Sequence, residues 1–202
     1  MKKILIGALV GGLIMFLWQW LSFAVANFHK PAQQYTEKQE AILEFLSSQG
    51  LKDGGYYMPG VPEGSSMKEH EDAMKRAEGK PWAMIQYHNK QDENLAQRMT
   101  LNMVRGFLTN VIIMFLFLSL LKRMGRISFA QVVGAAIMIG LIVFLNAAYT
   151  NFIWYQTFDI WAHLLDAVAS WGLAGAWLGW WIRRGDNKVT AVRTGEREVE
   201  MA

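Results

Sequence analysis

A chain of 202 residues that is 52% hydrophobic and 13% aromatic but only 18% charged is richer in apolar residues than soluble domains usually are. It has no cysteine, which excludes disulfides, thiolate metal sites, iron–sulfur clusters and cysteine nucleophiles. The formal net charge of +3 is small, and no basic tract interleaved with aromatics points to nucleic acid.

The first apolar run, "ILIGALVGGLIMFLWQWLSFAVA" from Ile4 to Ala26, follows Lys2 and Lys3. It exceeds the 7–15-residue core of a signal peptide and reads as a retained span, so residues 1–29 form a first transmembrane segment. Residues 30–100 are polar and punctuated. Thr36 with Gln39 reads as a capping box for a helix ending near Gly50, and Ser66 with Glu69 as a second, for a helix ending near Gly79. "GYYMP" and "PWAMIQYH" read as two short strands, giving a small α+β cap. From about Asn89 the pattern turns helical and runs into the next span.

Three further spans follow at about Leu101–Leu121, Ile127–Ala148 and Phe158–Ile182, making residues 101–184 a three-span bundle. The intervening "KRMGR" is basic, as are Arg183, Arg184 and Lys188, whereas the turn "YTNFIWYQT" carries no charge. Positive-inside logic places both termini in the cytoplasm and residues 30–100 outside it. Residues 185–202 read as a polar, disordered tail. The fold expected is thus mostly α and integral to a membrane: a four-transmembrane-helix bundle with a small α+β extracytoplasmic cap between spans one and two.

Within the last span, Asp159, His163 and Asp166 share one helical face. Thr157 suits the N-cap, which places Asp159 in the first turn, where the helix dipole favours a carboxylate. Asp166 lies about 10 Å deeper, by the 1.5 Å helical rise, and needs a partner in an apolar medium. Arg105 of span two is the natural one, so Arg105, Asp159, His163 and Asp166 form a candidate intramembrane cluster. His29, His88, Trp154 and Tyr155 are candidates for an outer-rim binding surface. A metal site from His29, His88, His163 and Asp159 is geometrically conceivable, but no histidine has a second one at i+3 or i+4, so neither metal nor cofactor is assigned. Gly7 and Gly11, and Gly172, Gly175 and Gly179, form small-residue strips suited to helix contact, self-association or a membrane-protein partner.

The stretches "GALVGGLIMFLWQWLSF", "GGYYMP", "KPWAMIQYH", "GLIVFLNAAYTNFIWYQT" and "IWAHLLDAVASWGLAGAWLGWW" together resemble a family of small four-span bacterial inner-membrane proteins. The resemblance covers nearly the whole chain. It implies a bacterial inner-membrane location and carries no activity with it. With no nucleotide, esterase or zincin motif, the reading favours a non-catalytic accessory, assembly or partner-binding subunit. The alternative is a membrane-embedded binder or enzyme for a lipid, quinone or other amphiphile at the outer leaflet, using His163 and Asp166.

Overall fold

The computed structural model describes residues 2–91 and 93–200, with side chains through Arg184. The chain divides into two units, Met1–Gln34 with Ala96–Ala202 and the intervening Tyr35–Leu95. It is mostly helical, with a single two-stranded sheet among the described residues.

The intervening unit contains α2 (Gln39–Ser48), β1 (Gly54–Met58), α3 (Met67–Ala77) and β2 (Ala83–Tyr87). The strands pair antiparallel from Gly54 opposite Tyr87 to Met58 opposite Ala83, as the alternation of "GYYMP" and "PWAMIQYH" predicts. The capping box expected at Thr36 does not form. The Thr36 hydroxyl accepts from the Lys38 amide instead, and the helix starts three residues later, capped by no side chain. Asn89 is not helical: its amide donates to Asp53 Oδ1 at 2.8 Å, closing the end of the ribbon, and the next helix begins at Leu95.

Ser66 does form its capping box, accepting from the Glu69 amide while the Glu69 carboxylate accepts from the Ser66 backbone and hydroxyl. The Ser66 amide and hydroxyl hold the Glu69 carboxyl below its ordinary value of 4.5. A carboxylate with a lowered pKa contributes stability in full above the unfolded value, and that contribution is lost as pH falls through the folded value. Acid titration of the full chain followed by NMR is therefore expected to show a Glu69 midpoint below 4.5, returning toward 4.5 in Ser66→Ala. A wild-type midpoint at or above 4.5 would refute the box as an electrostatic cap.

The other unit is built from α1 (Lys2–Trp20), α4 (Leu95–Arg123), α5 (Phe129–Val143), the short α6 (Thr150–Tyr155) and α7 (Ile160–Glu200). α1 continues into a π-helical stretch at Leu21–Val25, and a second π stretch at Phe144–Tyr149 joins α5 to α6. Among the described residues, three helices are long and apolar enough to cross a membrane: Lys2–Val25, Leu95–Arg123 and Phe129–Tyr155. The uncharged "YTNFIWYQT" is therefore helical almost to its end, because nothing in it breaks the helix before Gln156 takes a left-handed conformation. α7, at 41 residues, is longer than any of them, but its polar residues and tryptophans dilute its hydropathy, and it is not among the three. Its backbone is helical through Glu200; the side chains of the expected tail from Gly185 onward, Lys188 included, lie outside the described residues.

The core joins four helices: Ala8 and Met15 of α1, Met114, Phe117, Leu118 and Leu121 of α4, Val132 and Ala136 of α5, and Trp171, Ala174 and Leu178 of α7. α1 and α7 run antiparallel. At one end the Trp181 indole donates to the Lys3 carbonyl at 3.1 Å and the Lys3 ammonium donates to the Ile182 carbonyl. The opposite end of this helix pair holds the buried polar groups.

Candidate functional site

Two chain reversals build the site. Where α1 ends, the π stretch returns the Ala26 amide to the Leu21 carbonyl, Asn27 turns left-handed at φ 51°, and the Phe28 amide reaches back to the Ser22 carbonyl. Asparagine is among the few non-glycine residues that adopt this conformation readily. The reversal lays the His29 ring flat on Phe23, with centroids 3.8 Å apart and planes 5° from parallel. On the other side, Gln156 at φ 39° ends α6, and Asp159 immediately precedes the first residue of α7, its carbonyl accepting from the His163 amide. Asp159, not Thr157, thus occupies the N-cap position.

His29 is the centre of the cluster. Its side chain is 1% exposed, with Nδ1 at 2.8 Å from Asp159 Oδ2 and Nε2 at 3.0 Å from Asp166 Oδ2. The other oxygen of Asp166 accepts from the Trp18 indole at 2.9 Å, and the Asp166 carbonyl accepts from the Ser170 hydroxyl. His163 Nε2 lies 3.4 Å from the same Asp159 oxygen, and its ring meets that of His29 edge-on at 4.8 Å. A neutral imidazole offers one donor and one acceptor. Two carboxylates facing its two nitrogens therefore call for one more positive charge or proton than the four side chains supply in their common forms.

Asp166 and His163 also line a cleft of about 1040 Å³. Its body is apolar, with Ile113, Leu116, Leu120 and Val143 among its walls. Near its polar residues, Gln19 and Asn110 pair their amides across α1 and α4, with Asn110 Nδ2 donating to Gln19 Oε1 at 2.8 Å. The cleft thus combines a long apolar wall with a few polar groups, the composition of a ligand pocket.

Of the four residues expected as an intramembrane cluster, Asp159, His163 and Asp166 come together and Arg105 does not. Arg105 is exposed on α4, and the two oxygens of Asp166 are taken by Trp18 and His29. His29, expected only at an outer rim, is the buried hub; His88 belongs to the other unit. Trp154 and Tyr155 end α6 and are exposed. Asp159 spends its carboxylate on two imidazoles, displacing the simple capping role. Trp18, which donates to Asp166, and Phe23, which stacks on His29, are not among the sequence candidates; the available signal is an indole, an amide and a hydroxyl at 18, 19 and 22 near the end of an apolar run.

Trp18→Phe keeps an aromatic side chain but removes the pyrrole ring with its N–H, leaving Asp166 Oδ1 without its donor. A loss of about 1–3 kcal/mol is expected in detergent unfolding. An unchanged midpoint would show that this hydrogen bond carries no weight.

His29, Asp159 and His163 each offer one ligand atom, all within 4.8 Å of one another, so these three can hold a metal ion. No family model, curated protein or solved structure matches the chain.

Proposed function

We propose that this chain is a four-span protein of a bacterial inner membrane, with both termini cytoplasmic and residues 30–100 outside, that binds an amphiphile in the α1–α4–α5–α7 cleft. The amphiphile's apolar body lies along Ile113, Leu116, Leu120 and Val143, and its polar head meets His163 and Asp166. The observation that carries this reading is the continuity of the cleft with the polar cluster. A closed, self-satisfied cluster needs no apolar approach. Supporting the orientation, Lys2, Lys3, Arg183 and Arg184 gather at the end of the α1–α7 pair away from the cluster. α7 spans as the fourth helix because its buried carboxylates find partners within the protein.

The partner-subunit reading draws on the aromatic outer rim, the cap and the glycine strips, and glycines of both strips pack inside the chain. Positions beyond the Cα of Gly7 and Gly11 meet Leu118 and Met114, and those of Gly175 and Gly179 meet Ala136 and Phe129. Partner binding through the exposed rim of Phe158 and Trp161 remains as a second reading.

Native mass spectrometry of the full chain, released from its own membrane into mild detergent, tests the proposal. A retained amphiphile is expected, and Ala147→Trp, which adds bulk at an exposed position of the cleft wall, should displace it. Equal retention by wild type and Ala147→Trp, or no retained amphiphile, would overturn it. A stoichiometric protein partner in place of the amphiphile would favour the second reading.

A further inference from the structure

We propose that His29, Asp159 and His163 bind one divalent first-row transition-metal ion, Zn²⁺ or Fe²⁺, and that Asp166 is the positioning carboxylate behind His29. The inference rests on these four side chains and does not depend on the amphiphile.

Three features support it. The first is convergence. Asp159 Oδ2 is the common neighbour of both imidazoles, at 2.8 Å from His29 Nδ1 and 3.4 Å from His163 Nε2. Ligand atoms at about 2.0–2.2 Å from a tetrahedral ion are separated by about 3.3–3.5 Å. Of the three edges, one has that length already and one needs to open by about half an ångström, while the edge between the two imidazoles, within 4.8 Å, closes by up to about 1.5 Å through a turn of the partly exposed His163 ring. Two imidazoles and a carboxylate form a borderline-soft donor set that suits Zn²⁺ or Fe²⁺, whereas Ca²⁺ and Mg²⁺ prefer oxygen ligands.

The second feature is the outer hydrogen bond. A ligating histidine characteristically donates its other N–H to a carboxylate, which fixes the tautomer and the ring plane. His29 Nε2 faces Asp166 Oδ2 at 3.0 Å, and the remaining oxygen of Asp166 is held by the Trp18 indole. Phe23 stacked on the ring restrains it from the face. With a metal on Nδ1 and a proton on Nε2, the donor and acceptor count of His29 closes without any extra proton.

Charge is the third. Asp159 and Asp166 are buried or nearly so, at 8% and 16% exposure, and Arg105 does not reach them. A dication balances two carboxylates, removing the cost of unpaired charge in an apolar surrounding. Three protein ligands leave a coordination position open. Of the three, His163 alone also lines the cleft.

Full-length protein in detergent, stripped with a chelator, would be dialysed against ZnCl₂ and, anaerobically, against Fe²⁺, with bound metal measured by elemental analysis. Co²⁺ would serve as the spectroscopic probe. One ion per chain is expected for wild type and for His88→Ala. His163→Ala is the ligand variant of choice because its ring is 39% exposed and its loss leaves the core intact. It should weaken binding at least about tenfold and change the visible Co²⁺ bands. Asp166→Asn should still bind one ion at saturation, but about 10–100-fold more weakly, with Asp166→Glu recovering part of the loss. Failure of folded wild type to bind any of the three ions overturns the proposal, as does wild-type affinity in His163→Ala. Metal binding with no effect of Ala147→Trp on amphiphile retention would leave this site standing while removing the proposed function.

Discussion

Replacing His29 by alanine is expected to destabilise the unit built from α1, α4, α5 and α7 by about 3–5 kcal/mol, the range for removing one partner of a buried polar pair. The ring is 1% exposed and touches something on every side that matters: Phe23 on its face, His163 at its edge, and a carboxyl oxygen at each nitrogen. Alanine leaves Asp159 and Asp166 facing a hole. It also frees the end of α1 from the start of α7, which are 130 residues apart in the chain and joined here through this ring. His163→Ala should cost far less, about 1 kcal/mol or under, because His163 is partly exposed and shares its acceptor with His29. Unfolding of metal-stripped protein in detergent measures both. Adding Asp159→Asn and Asp166→Asn to His29→Ala should recover part of the loss, since the buried acids are then gone. Strict additivity in that cycle would show that His29 and the acids do not interact.

The same contacts explain what could be read from the sequence and what could not. Apolar runs and capping signals are local, so the Ser66 and Glu69 box and both strands follow from a few neighbouring residues. The burial cost of Asp166 was equally legible, because one acid in an apolar run demands a partner wherever the run folds. The partner itself was not. Depth along an ideal helix nominates Arg105, but the structure supplies His29, 137 residues away, through a π stretch and a left-handed Asn27. Both are departures from the regular 3.6-residue period that sequence patterns assume. Both also lie beside the cluster, as does the left-handed Gln156 on the opposite side, and irregular backbone of this kind tends to collect at functional sites. The glycine strips were visible as strips, but whether their partner was another molecule or the same chain depended on tertiary packing.

Gly140→Ala and Gly12→Ala are expected to be as informative about the scaffold as His29→Ala is about the cluster. A Cβ at Gly140 would lie 2.6 Å from the Ala167 carbonyl oxygen and 2.8 Å from Trp171 Cδ1. A Cβ at Gly12 would lie 2.7 Å from the Val111 amide nitrogen. Backbone atoms cannot rotate away, and Trp171 is 7% exposed and set edge-on against Phe117, so it cannot yield either. The helices must separate, at about 1–3 kcal/mol for each substitution. In the membrane proposed above, close packing rather than exclusion of water would hold such helices together, which would make the lost contact harder to replace. Gly134 on the same α5 helix supplies the contrast. Nothing lies within 4 Å of its would-be Cβ, so alanine there should be neutral or stabilising by up to about 1 kcal/mol through helix propensity. The consequence reaches the site, because Gly140, Ala167 and Trp171 all line the cleft and Asp166 precedes Ala167. Gly140→Ala should therefore weaken amphiphile retention as well as stability, whereas Gly134→Ala should change neither adversely. Equal melting temperatures for the two variants would mean that the α5–α7 contact at Gly140 is looser than its geometry requires.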